Sequence, residues 1–311
     1  MRVLHINDEA SVGYILCQGL RQTGLSADLI YKHNKLRHYS EPWVYVAKNK
    51  FEMLNISGIK LNYDVIHCHY LVNLMSLGIR FKNFKIPVIL HAHGQDTRAT
   101  NIIHKFVRKL VCSQGNVMLY STPDLLDNLH WFTGKKIFLP NPVIMPEISA
   151  SKKKFKDRIL LFGACYKKRK GWEKIIPMLS KMKYKFDMIS AGPDKEYFRQ
   201  GLPNNFSMIK PVPHNKISEL INKYKLIIGQ QTGMIGVSEL EAMAHGLPVL
   251  FPFKFQRFYQ EKVPSFTLTP KIVEKYFGDL SLGEIQKEWV RKFHSREVVV
   301  ERLIKIYQIF K

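Results

Sequence analysis

Short, continuous apolar runs alternate with longer amphipathic stretches along the whole chain. This alternation limits the fold class before any single motif is considered. In the first half the runs are RVLHI (2–6), ADLIY (27–31), DVIHCH (64–69), PVILHAH (87–93), VMLYS (117–121) and KIFLP (136–140). In the second half they are RILLFG (158–163), KFDMISAG (185–192), FSMIK (206–210), LIIGQ (226–230) and PVLF (248–251). Helix-period stretches such as 12–22, 100–112, 171–182 and 214–224 lie between them. Strands that are apolar on both faces, spaced by helices, predict parallel sheets covered on both sides. The pattern restarts once. Residues 140–157, PNPVIMPEISASKKKFKD, are rich in proline and lysine, carry no apolar period, and read as a linker. The expectation is an α/β protein of two doubly wound, Rossmann-like domains, 1–148 and 149–311. Ligands in such sheets bind at the carboxyl ends of the strands, and with two facing domains the natural site is the cleft between them.

Composition narrows the context. A length of 311 residues with 46% hydrophobic content supports two cores, not disorder. No run of about 18 apolar residues marks a transmembrane helix. The start, MRVLHIN, enters a strand pattern with none of the marks of a signal peptide. Cys17, Cys68, Cys112 and Cys165 stand singly, so a reducing cytoplasm is expected in place of a disulfide or zinc-ribbon framework. A formal net charge of +23 attracts anions: nucleic acid, anionic lipid headgroups or phosphorylated substrates.

Four stretches can carry chemistry. GVSELEAMAHGLPVLFP (236–252) reads as a helix with a polar start, a tight turn, then a buried strand. A glutamate in the first turn can accept hydrogen bonds from a ribose; Glu239 and Glu241 can equally complement the helix dipole. FGACYKKRKGWEKII (162–176) places a basic loop between a strand end and a helix start near Gly171, where lysines can meet a diphosphate or form a solvated charge run. The third feature is the pair of H-x-H elements, His67/His69 and His91/His93. Spacing of i, i+2 puts both rings of a pair on one face of a strand. A metal site is one reading, but no acidic or thiol partner has ligand spacing, so imidazoles that line a cleft and donate hydrogen bonds are expected instead. Gly94 permits close backbone approach there. The fourth stretch is 32–54, where basic residues interleave with Tyr39, Trp43, Tyr45 and Phe51. It suits an anionic membrane surface, single-stranded bases, or an ordinary surface loop and helix.

Taken together, these motifs resemble one family. SELEAMAHGLPVL resembles the EAMA-x-G-x-P-V signature of the retaining glycosyltransferases with the GT-B fold, group 1 type (family 4). GACYKKRKG, ILHAHGQD, DVIHCHY, YSTPDLL and LPNPV match in order and spacing over nearly the whole chain. The resemblance implies a GT-B arrangement with a final helix, about 295–310, packing back on the first domain. It implies transfer of a sugar from a nucleotide-diphosphate donor to a glycan, lipid-linked or other hydroxyl acceptor, with retention of configuration. Glu241 would hold the donor ribose. Lys170 would neutralise the diphosphate, and His93, with the backbone around Gly94, would face the donor sugar. Gly163, Lys168, Arg169, Gly233 and Gly236 would complete the donor pocket. The loop NDEASVG (7–13), with Asp8 and Gly13, would border the acceptor side together with His69 and Asp96. No D-x-D motif is present to hold a metal beside the diphosphate, and neither a metal nor another cofactor is expected.

The sequence departs from the family pattern at three places. Gly233 stands where a first glutamate is usual, so Gly233 and Gly236 would present N–H groups, or Gln230 and Gln231 their amides. Ala164 stands where an arginine is common, leaving Lys167, Lys168 or Arg169 to supply the charge. The first loop keeps Gly13 alone. These departures suit a divergent member or a catalytically silent partner subunit. A basic nucleic-acid-binding protein is the other alternative, although no nucleic-acid motif is present. A cytoplasmic protein, peripheral on the cytoplasmic face of a membrane when it meets a lipid-linked acceptor, is the expected setting.

Overall fold

In a computed structural model, the described residues are 1–8, 10–32, 39–48, 63–69, 86–94, 97, 112, 115–147, 156–165 and 170–310. The chain divides into two compact units, residues 1–142 with 296–311, and residues 143–295. Among the described residues no helix is long and apolar enough to cross a membrane.

Unit 1 is built on a seven-stranded sheet. Its strands are β1 (Arg2–Ile6), β2 (Ser26–Lys32), β3 (Val44–Ala47), β4 (Val65–His69), β5 (Val88–Ala92), β6 (Val117–Tyr120) and β7 (Lys135–Phe138). All pairings are parallel, in the order β3-β2-β1-β4-β5-β6-β7. The three central strands β1, β4 and β5 are buried almost throughout, as their mainly apolar sequences, broken only by histidines and the exposed Arg2, lead one to expect. β3 is a correction: it falls inside the basic, aromatic stretch read as a surface loop and helix, and it pairs with β2 as a half-exposed edge strand. The rings from that stretch also pack inward. Tyr39 stacks on Tyr14 with centroids 4.0 Å apart, and Trp43 on Tyr14 at 5.4 Å. Residues 33–38 and 49–54 of the stretch, and 100–111 of the predicted helix, lie outside the described residues.

Helix α1 (Val12–Gln22) covers this sheet with its apolar face, Ile15, Leu16 and Leu20 being buried. The last helix of the chain packs on α1 within the same unit. Gly19 makes the contact possible: a Cβ there would lie 2.6 Å from Val300 Cγ2.

Unit 2 holds a five-stranded parallel sheet, β10-β9-β8-β11-β12. The strands are β8 (Lys156–Leu161), β9 (Lys185–Ile189), β10 (Phe206–Ile209), β11 (Tyr224–Ile228) and β12 (Val249–Leu250). Between and after them run α2 (Trp172–Leu179), α3 (Lys195–Gly201), α4 (Ile217–Ile221), α5 (Val237–Ala244), α6 (Pro270–Tyr276) and α7 (Ser281–His294). The final helix of unit 1 is α8 (Arg296–Gln308). Trp172, Phe186, Leu226 and Ile228 are fully buried in the core of unit 2. The short edge strand β12 is held by Gln286 of α7, whose amide oxygen accepts from Val249 N–H at 2.8 Å and whose amide nitrogen donates to Val249 O at 2.7 Å. That clasp satisfies backbone groups which an edge strand leaves open.

Candidate functional site

In a doubly wound sheet the strand order reverses beside the first strand, and two loops diverge there at the carboxyl ends. In unit 2 the reversal lies between β8 and β11, which pair with each other while β8 also pairs with β9. The loops that leave these two strands, from Phe162 and from Gly229, build the candidate donor site.

Lys170 is fixed between them. Its carbonyl accepts from Gln231 N–H at 2.8 Å. Its side chain runs past two glycines: a Cβ on Gly163 would meet Lys170 Cε at 3.4 Å and Nζ at 3.5 Å, and one on Gly236 would meet Nζ at 3.9 Å. Gly163 has φ +142° and Gly171 φ +72°, so both need the freedom of glycine to let the loop turn and the lysine lie back. The amine is thereby set near the N-terminus of α5, where helix N–H groups and a cation together suit an anion.

The two glutamates of α5 have different jobs. α5 starts at Val237, so Glu239 and not Glu241 occupies its first turn. Glu239 is fully buried. Its Oε1 accepts from Gln230 N–H at 2.8 Å and its Oε2 from Gly236 N–H at 2.9 Å. It braces both ends of loop 229–236 and caps the helix. Glu241 lies one turn further on, its side chain 18% exposed, with Oε1 accepting from His214 Nε2 at 2.7 Å. Glu241 therefore reaches solvent from a braced helix, and His214 is a partner that the sequence motif did not announce. Gly233, at φ +87°, is covered by the aliphatic stem of Lys254, whose Cδ would lie 2.6 Å from a Cβ there. Lys168 and Arg169 lie outside the described residues.

In unit 1 the reversal lies between β1 and β4. The loop after β1 is strained: Asn7, Ala10 and Ser11 all hold positive φ, at 74°, 52° and 62°. For a residue with a Cβ each such conformation costs roughly 1–2 kcal/mol. Asp8 is buried, with Oδ1 accepting from Tyr14 N–H at 3.2 Å and Oδ2 from the Tyr39 hydroxyl at 2.7 Å. Gly13 stays close under this loop, since a Cβ would come within 2.8 Å of Asn7 O. Asp96 lies outside the described residues.

The H-x-H rings correct a further expectation. His67, His69 and His91 are fully buried, and only His93 is half-exposed. They form a ladder across β1, β4 and β5 in place of a row along an open surface. His69 Nδ1 lies 2.9 Å from His93 Nε2, and His69 Nε2 lies 2.9 Å from His5 Nδ1. The Tyr307 hydroxyl of α8 joins His5 Nε2 at 3.2 Å and His67 Nδ1 at 2.7 Å. His67 Nε2 meets His91 Nδ1 at 3.2 Å, and the Ser121 hydroxyl lies 3.4 Å from His93 Nδ1. Burial pushes His5 and His93 down from 6.5 to about 3 and lowers His67, His69 and His91 well below 6.5. All five rings are neutral. His5 was the readable signal for this ladder: a histidine inside a buried strand needs a partner.

No protein-family model matches the chain, and no curated protein does. Solved structures do. The chain is similar to Anabaena Alr3699/HepE in complex with UDP and glucose, at TM-score 0.73 and 12% identity, over 99% of each chain. It is similar to sucrose-phosphate synthase (tll1590) from Thermosynechococcus elongatus, at TM-score 0.70 and 13% identity, over 99% of this chain and 98% of that one. It is also similar to AviGT4, a glycosyltransferase involved in avilamycin A biosynthesis, at TM-score 0.68 and 14% identity, over 99% of this chain and 97% of that one. At such identities the likeness is one of fold. The chain has the α/β fold of these proteins, with two Rossmann-like units of parallel sheet, over nearly its whole length.

Proposed function

We propose that the chain is a glycosyltransferase that takes a sugar from a nucleotide-diphosphate donor and places it on a hydroxyl of a glycan or lipid-linked acceptor, with retention of configuration. One observation carries this reading. At the strand-order reversal of unit 2, the Lys170 amine and the Glu241 carboxylate flank the start of a single helix whose loop is braced by buried Glu239. An amine at a helix N-terminus suits a diphosphate, and a solvent-reaching carboxylate one turn on suits ribose hydroxyls. The fold likeness to a structure solved with UDP and glucose supports uridine as the first base to test.

In this reading catalysis is positional and electrostatic. Lys170 lies against the diphosphate and stabilises the charge that grows on it as the bond to the sugar breaks. Lys168 and Arg169 add charge from the same loop. The N–H groups of Gly233 and Gly236 face the phosphates or the sugar. Glu241 exchanges its bond with His214 for bonds to the ribose. His93 is assigned no proton transfer, because its ring nitrogens are turned to His69 and Ser121. The acceptor side falls to the Asp8–Gly13 loop. No metal is invoked beside the diphosphate.

The test is a thermal-shift panel of UDP, GDP, ADP and dTDP on the wild type, Lys170→Ala and Glu241→Ala. A ligand at about 100 times its dissociation constant stabilises by roughly 2.7 kcal/mol. One diphosphate should shift the wild type and neither variant. If no diphosphate shifts the wild type, the reading fails, and a silent partner subunit or a nucleic-acid binder takes its place.

A further inference from the structure

The histidine ladder has a direction, and it ends on an unused nitrogen. The Ser121 hydroxyl donates to Ala92 O at 3.0 Å, so it accepts from His93 Nδ1. His93 Nε2 then accepts from His69 Nδ1–H, and His69 Nε2 from His5 Nδ1–H. His5 Nε2 accepts from the Tyr307 hydroxyl, whose oxygen accepts from His67 Nδ1–H. His67 Nε2 accepts from His91 Nδ1–H. Every N–H has an acceptor. His91 Nε2 is left as a buried lone pair with no partner among the described residues. The opposite polarity would put an N–H at that same place, and an unpaired buried N–H is the rarer and costlier defect.

We propose that His69, His91 and His93 form a binding site for a borderline divalent transition-metal ion of the zinc type. One ring nitrogen from each lies within 4.8 Å of the other two. The ring centroids are 5.2, 5.1 and 4.2 Å apart. Bonds of about 2.0–2.1 Å in a tetrahedral set place ligand nitrogens roughly 3.3 Å apart, so modest ring rotation closes the site. The donors are imidazole ring nitrogens with no carboxylate among them, which suits zinc, nickel or copper and not magnesium or calcium. His91 and His93 already place their one N–H on His67 Nε2 and Ser121 Oγ, leaving the other ring nitrogen for a metal, as ligating histidines do. The proton on His69 Nδ1 faces the site. The ion takes that proton's place, His69 binds as an imidazolate whose Nε2 still accepts from His5 Nδ1–H, and one proton per ion passes to solvent.

A second triplet, His5, His67 and His69, also lies within ligand distance. All six of its ring nitrogens are already paired, and Tyr307 bonds two of them. The set with the spare lone pair is also the one that contains half-exposed His93, which gives an ion its way in.

The test uses the full chain stripped with a chelator. Zn²⁺ and Mg²⁺ are titrated calorimetrically in two buffers of different ionisation enthalpy, and Co²⁺ serves as a visible probe. The expected result is one Zn²⁺ per chain with about one proton released, no Mg²⁺ response, and the intense visible bands of four-coordinate cobalt. X-ray absorption of the zinc form should show three imidazoles. His91→Ala should weaken zinc by more than about 100-fold, since even outer-shell changes cost 10–100-fold. His130→Ala, at an exposed histidine, should leave affinity unchanged. Absence of stoichiometric zinc binding by the wild type overturns the proposal, and so does full affinity in a folded His91→Ala. If His91→Ala does not fold, the wild-type spectra decide: fewer than three imidazoles on the metal overturns it.

Discussion

Tyr307 and His67 stand 240 residues apart in sequence, and their side chains meet at 2.7 Å in the core of unit 1. The same hydroxyl reaches His5 Nε2 at 3.2 Å. It is donor to one ring and acceptor from the other. Tyr307→Phe keeps the ring and its packing but leaves a buried N–H on His67 with no acceptor. We expect a loss of about 1–3 kcal/mol in stability. Urea unfolding of the two proteins gives the number, and an unchanged midpoint would mean that the ladder is not bonded as described.

Acid should unfold the metal-free protein early. Folded His5 titrates at about 3 because burial disfavours its charge, and the other four rings are lowered for the same first reason. Unfolded rings titrate near 6.5. Below that pH the unfolded chain binds more protons than the folded one. Each ring then withdraws about 1.4 kcal/mol per pH unit until the folded value is reached. Above pH 6.5 the rings contribute no slope. Five such rings exhaust a stability of 5–15 kcal/mol within roughly one to two units, so cooperative unfolding is expected between about pH 4 and 5.5. Circular dichroism along an acid titration checks it; a chain still folded at about pH 3.5 contradicts it.

Glu239→Gln separates bracing from ligand contact. The carboxylate accepts one N–H on each oxygen, from Gln230 and from Gly236. An amide accepts one of these and turns its own NH₂ toward the other. We expect unit 2 to lose about 1–3 kcal/mol. Nucleotide binding should weaken as well, although residue 239 is wholly buried. Differential scanning calorimetry reads the first effect, and a titration with UDP the second.

Gly283→Ala tests a close backbone approach in unit 2, that of α7 to the turn after α5. A Cβ on Gly283 would lie 2.1 Å from Gly246 O and 2.7 Å from Gly246 C. Helix propensity alone favours alanine by about 1 kcal/mol at such a position. The clash opposes this and wins, because the obstacle is backbone and cannot swing aside. A net loss of about 3 kcal/mol is expected. A variant more stable than the wild type by thermal denaturation would refute the packing of α7 on the turn after α5.

The sheets were legible in the sequence because most described strands are short, mainly apolar runs set between helix-period stretches. VILHA and LLFG announce buried strands wherever they sit. Val44–Ala47 escaped although it is apolar: it is a four-residue edge strand, partly exposed, inside a segment whose basic and aromatic content signals a surface. The loop and helix of the candidate site in unit 2 were legible as a motif, but where each glutamate sits on that helix was not. A cap position depends on where the helix begins, and a start at Val237 gives Glu239 the role of brace. The histidine ladder was half legible. Spacing places His67 with His69 and His91 with His93, but register brings His5 opposite His67, and only the course of the last helix brings Tyr307. Such contacts belong to topology, and no local pattern carries them.

Unit 1 takes its residues from both ends of the chain, 1–142 and 296–311, with all of unit 2 between them. During synthesis the ribosome therefore delivers every residue of unit 2 before it delivers α8. Until then the groove beside α1 that receives Val300 stands open, and His5 and His67 each lack a partner. Unit 1 is therefore completed only after unit 2, and a chain broken off anywhere before Tyr307 leaves His5 and His67 buried without that hydroxyl.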